Sequence, residues 1–89
     1  MPNKIDLPYT RYLDPAGQPT QPLPAWASDF ALLTRLYRQM QLTRLFDLKT
    51  VALQRTGRIG TYAPCLGQEA IGVALGSLMQ AEDVLVPYY

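Results

Sequence analysis

Between residues 28 and 56 apolar side chains recur with no proline or glycine among them, and this spacing predicts one long helix. At about 100° per residue, Leu33, Leu36, Tyr37 and Met40 fall in one stripe. Leu42, Leu45, Phe46, Leu48, Ala52 and Leu53 spread over a wide arc rotated away from it. The second half is therefore expected to be buried on more than one side, as in a helix clamped between its own domain and a partner. Ser28 or Asp29 can cap the start, and Gly57 and Gly60 end the run.

A second helix is expected from Gln68 to about Met79, with Ala70, Ile71, Val73, Ala74, Leu75 and Leu78 apolar. Its Gly72 and Gly76, spaced i and i+4, permit close approach of another backbone. After the acidic turn Glu82-Asp83, residues 84–86 read as a buried strand of a parallel sheet. A single buried strand leaves its backbone groups unpaired, so the expectation is a domain cut short at Tyr89. Between the helices, residues 58–67 combine rings, glycines and Pro64 in an irregular segment suited to lining a site.

Residues 1–27 contrast with all of this, because six of the eight prolines lie there. Proline removes amide donors and fixes φ, which excludes a long helix or a central strand and predicts an extended arm. Residues 9–13 suit a short edge strand closed by a turn at Asp14-Pro15-Ala16-Gly17. Tyr12, Leu13, Leu23 and Trp26 give the arm apolar side chains to lay on a surface. The division is thus 1–27, arm, and 28–89, the start of a domain.

Charge narrows the partners. Eight Lys and Arg against seven Asp and Glu leave +1, no field to attract nucleic acid or an anionic membrane. The first residues lack the apolar core of a signal peptide and the Arg- and Ser-rich pattern of an organelle presequence, and no apolar run is long enough to span a bilayer. A cytoplasmic, reducing setting is expected, with Cys65 alone and unable to form an internal disulfide.

Candidate chemistry is sparse. Histidine is absent, which excludes Ser/His/Asp and Cys/His sets, and no cluster has metal-ligand spacing. Gly57, Gly60 and Gly67 fit neither the phosphate loop nor the dinucleotide fingerprint. Gly67-Gln68-Glu69 offers a helix start to an anion, but Glu69 would itself occupy that field, so capping is the better reading. Cys65 has no neighbouring base in sequence and reads as packing. Arg44 and Asp47, spaced i and i+3, suit a pair at a junction, or equally a solvated pair.

From about residue 30 to 89 the chain resembles the start of the thiamine-binding domain in alpha subunits of 2-oxo acid dehydrogenase decarboxylating components. The resemblance is carried by Leu53-Gln54-Arg55-Thr56-Gly57-Arg58, by Tyr62-Ala63-Pro64, by Gly67-Gln68-Glu69-Ala70, and by Asp83 six residues before Tyr89. It implies an α/β fold in which an extended arm and helices lead into the first strand of a thiamine-diphosphate-binding parallel sheet, the present segment itself being mostly α. It also implies thiamine diphosphate and Mg2+, a beta subunit in an alpha2-beta2 heterotetramer, and a lipoyl-bearing acyltransferase that receives the acyl group.

The resemblance assigns few residues of this chain. Tyr89 matches a strand-end tyrosine that reaches the cofactor diphosphate, and Tyr62 is the residue expected to line the substrate funnel. No catalytic residue and no metal ligand are expected among the 89, since the magnesium motif lies downstream in the family and the activating glutamate belongs to the beta subunit. Neither Glu69 nor Glu82 takes that role, and the segment alone is expected to be inactive. Tyr62-Ala63-Pro64 looks like the pyruvate branch of bacterial heterotetramers. Branched-chain 2-oxo acid or acetoin dehydrogenases are the alternatives within the family, and a non-catalytic subunit-assembly module the alternative outside it.

Overall fold

The structure, a computed structural model, describes residues 4–87. A single 3-10 turn at Ala25–Ser28 leads into helix α1, Phe30–Arg55, and helix α2 follows at Glu69–Leu78. The cap that starts α1 is Asp29, whose carboxylate accepts from the amide of Leu32 at 3.1 Å and so satisfies one of the helix's free donors.

The end of α1 is set by Gly57. At φ 73° it takes the left-handed conformation that a side chain disfavours, and its amide donates to the Gln54 carbonyl at 3.0 Å. The Arg58 amide returns to the Leu53 carbonyl at 2.9 Å, which completes a Schellman cap. Gly67, at φ 86°, occupies the third position of a turn closed by Gln68 N donating to Cys65 O at 2.9 Å, and α2 starts there.

The arm makes less strand than its pattern predicts. Residues 9–13 form no strand; Leu13 makes a lone antiparallel bridge with Pro19. Proline supplies no amide, so the ladder has nothing to extend it. The turn at Asp14 forms as expected: its carboxylate accepts from the amides of Ala16 at 2.9 Å and Gln18 at 2.8 Å. Gly17, at φ 81°, donates to the Asp14 carbonyl.

No strand forms at residues 84–86 either, and Val84 and Val86 stand 84% and 85% exposed. A parallel strand exists only through hydrogen bonds to neighbours, and the described residues provide none. The described segment is therefore helical, matching the mostly α expectation.

Helix α1 is covered mainly along one line, with Leu53 half-buried away from it. Half-buried Leu36, Met40 and Thr43 lead to buried Asp47 and half-buried Thr50 and Gln54, so the first stripe continues with polar members. Leu42, Leu45, Phe46 and Leu48, expected to be buried on a second side, are between 55% and 63% exposed. Nothing in the described chain covers them. The same holds for Gly72 and Gly76, where a Cβ would meet no atom within 4 Å.

Among the described residues no hydrophobic side chain is fully buried. The two that are buried are acids, Asp47 at 2% and Glu69 at 4% exposure. Both sit where α1, the 58–67 loop and α2 meet.

Candidate functional site

This junction is built by three elements that converge on one face of α1. Asp47 lies on that face, Gly57 turns the chain back, and residues 58–67 run beside the helix until Gly67 redirects them into α2. Two groups of the returning loop then reach the same carboxylate oxygen. The Tyr62 hydroxyl donates to Asp47 Oδ1 at 2.7 Å, and the Cys65 amide donates to it at 2.9 Å.

Those two donors, the tyrosine hydroxyl foremost, hold the Asp47 carboxyl below its ordinary range. The same bond acts oppositely on the tyrosine, whose hydroxyl is pushed up to about 12, because ionising it would place a phenolate against a carboxylate. The Cys65 thiol is also pushed up, first by burial and then by Asp47, so it stays protonated and is a poor nucleophile. This agrees with its reading as a packing residue.

Glu69 opens α2 and is claimed from the side by α1. Arg44 Nε donates to Glu69 Oε1, and this ion pair holds the glutamate below the ordinary carboxylate range and Arg44 above its own. Amides at the start of α2 add to the lowering at Glu69. The carboxylate thus stands in the field at the helix start that a foreign anion would need, although the N-cap residue, Gln68, makes no side-chain cap bond. The pair is asymmetric, the Glu69 side chain being 5% and the Arg44 side chain 45% exposed.

The sequence pairing of Arg44 with Asp47 is therefore corrected. Arg44 bonds Glu69, 25 residues on, and Asp47 is taken by Tyr62 and Cys65, 15 and 18 residues on. Spacing along one helix finds neighbours on its surface but not partners brought by another element. One signal did mark Asp47: it is an acid inside the apolar run Leu45-Phe46-Asp47-Leu48, at the angle of the covered stripe.

Of the two site residues expected, Tyr62 is half-buried with its hydroxyl engaged as described, and Tyr89 lies outside the described residues. An open groove of about 720 Å³ runs between the helices, lined by Leu36, Gln39, Thr43, Cys65, Glu69 and Val73. Among the described residues no three acidic, cysteine or histidine side chains are grouped to hold a metal ion. Asp47 and Glu69 are each already committed to a protein donor. No helix of the described residues is long and apolar enough to cross a membrane.

The pattern of the dehydrogenase E1 component family matches residues 37–89, which span α1 from Tyr37, the loop and α2, and the chain belongs to that family. Over 57 residues it is 44% identical to the pyruvate dehydrogenase E1 component subunit alpha of Bacillus cereus. It is 42% identical to the protein of the same name in Bacillus subtilis and 40% identical to that in Staphylococcus epidermidis. Each match covers 64% of this chain and 15% of the relative, so the aligned region is a small part of those proteins. No solved structure is a significant match.

Proposed function

We propose that this chain is part of the alpha subunit of a thiamine-dependent pyruvate dehydrogenase, which decarboxylates pyruvate oxidatively and hands the acetyl group to a lipoyl arm. The observation that supports the reading best is the coincidence of the family match at residues 37–89 with the Asp47–Tyr62–Cys65 junction and the Arg44–Glu69 pair. Thiamine diphosphate supplies the electron sink for loss of carbon dioxide. In this reading it is held with Mg2+ by residues outside 4–87, Tyr89 among them. The described residues serve as scaffold, with Tyr62 on the wall of the substrate funnel.

The beta subunit in an alpha2-beta2 assembly, the lipoyl-bearing acyltransferase and a cytoplasmic location belong to the same proposal. So does the α/β parallel sheet into which α2 would lead. The uncovered faces of α1 fit a place between subunits, since Leu42, Leu45, Phe46 and Leu48 together present an apolar surface that water does not favour. The same exposure also favours a second reading, a non-catalytic module that only assembles a partner.

A substrate panel separates these readings. The full-length protein, produced with its beta subunit, thiamine diphosphate and Mg2+, is expected to turn over pyruvate in preference to branched-chain 2-oxo acids and acetoin. Preference for one of the latter would move the protein to that branch. Stable assembly with no turnover of any of them would establish the module.

A further inference from the structure

The loop at residues 58–67 follows Gly57 and ends on Gly67, both in the left-handed region, and carries no regular structure between them. Such a segment is held by its side-chain and amide bonds or not at all. Past the Arg58 cap bond, the two hydrogen bonds that reach from it to α1, from Tyr62 and Cys65, are accepted by one atom, Asp47 Oδ1. That carboxylate is 2% exposed, so water does not compete for it, and it sits on a helix whose two ends are capped.

The Tyr62 hydroxyl has one proton to give. The neighbouring Thr50 hydroxyl gives its own to the Phe46 carbonyl at 2.7 Å, and the tyrosine proton goes to Asp47. What remains of the hydroxyl is lone pairs, and what remains of the side chain is the ring.

We propose that Asp47 is a positioning residue: it fixes residues 62–65 on α1 and takes the Tyr62 hydroxyl proton, so that Tyr62 meets a 2-oxo acid with its ring and not as a hydrogen-bond donor to the substrate carboxylate. The substrate half of this statement rests on the reading given under Proposed function; the anchoring half does not. Asp47 touches no substrate and acts through Tyr62 and Cys65.

The test uses the full-length protein assembled with its beta subunit, as wild type and as D47A, D47N and Y62F. Amide hydrogen exchange is followed over residues 58–67, and KM and kcat for pyruvate are measured on the same preparations. D47A is expected to raise loop exchange by roughly ten-fold, the scale of one lost charge-assisted hydrogen bond. D47N keeps an acceptor oxygen in place and is expected to stay within about two-fold of wild type. Y62F removes one of the two donors and is expected to fall between them; should D47A not fold, this variant carries the comparison.

In kinetics, D47A and Y62F are expected to raise KM several-fold with kcat within about two-fold, and D47N to restore KM, because a displaced funnel wall weakens substrate binding more than chemistry. Loop exchange unchanged in D47A, or in Y62F where D47A does not fold, would overturn the proposal. So would a fall in kcat at constant KM. If the wild type turns over no 2-oxo acid, the pyruvate reading fails, and the exchange comparison by itself decides the anchoring: a rise supports it and no change overturns it.

Discussion

Asp47 and Glu69 carry the junction as anions, and that choice of chemistry has a pH signature. Both are held below the ordinary carboxylate range in the folded chain, so their contribution is complete above an unfolded pKa of about 4 and is lost as pH falls through the lower folded values. The protection factor for amide exchange over residues 58–67, with the intrinsic pH dependence of the amide rate divided out, is therefore expected to be flat from neutrality to about pH 5 and to fall in stronger acid. Tyr62 has the opposite sign. Its folded pKa, raised to about 12, means that its contribution is complete below the ordinary tyrosine value near 10 and disappears between the two. An ultraviolet titration should show a phenolate step at about pH 12, and Y62F should remove it.

At the scale of elements, both helices were legible because their limits are chemical. An uninterrupted run bounded by Asp29 and Gly57 gives α1, and the turn through Gly67 opens α2. Asp29→Ala is expected to destabilise by about 1 kcal/mol through loss of the cap to Leu32. Gly57→Ala is expected to cost a similar amount, about 1 kcal/mol, because alanine resists φ 73°. Shifts in the denaturant midpoint of the folded full-length protein at constant slope check both.

What the sequence did not reveal follows from distance along the chain. The partner of Arg44 is chosen by the angle at which α2 returns to α1, which no local pattern encodes. Residues 84–86 are apolar enough for a buried strand, but a strand is a relation between segments, and the described residues hold only one of them. The edge strand at residues 9–13 failed for a nearer reason, since its partner at the bridge is Pro19.

For the molecule as a whole, the accessible surface of 8293 Å² compares with about 5,200 Å² for a compact monomer of 10.0 kDa. The radius of gyration, 17.7 Å, compares with about 12 Å for a compact domain of 89 residues. The chain is thus open, with Asp47 and Glu69 covered while Leu42, Leu45, Phe46 and Leu48 stand exposed. The 89-residue chain alone is expected to bind a hydrophobic dye and to self-associate through surfaces that include Leu45 and Phe46. The assembled full-length protein is expected to do neither.

The most direct test of membership in a working dehydrogenase is pyruvate-dependent acetyl transfer to a lipoyl acceptor. It is measured with the full-length protein and its beta subunit, with and without thiamine diphosphate and Mg2+. Turnover that requires both is the predicted result. A folded, assembled complex that transfers no acyl group from any 2-oxo acid would contradict the account.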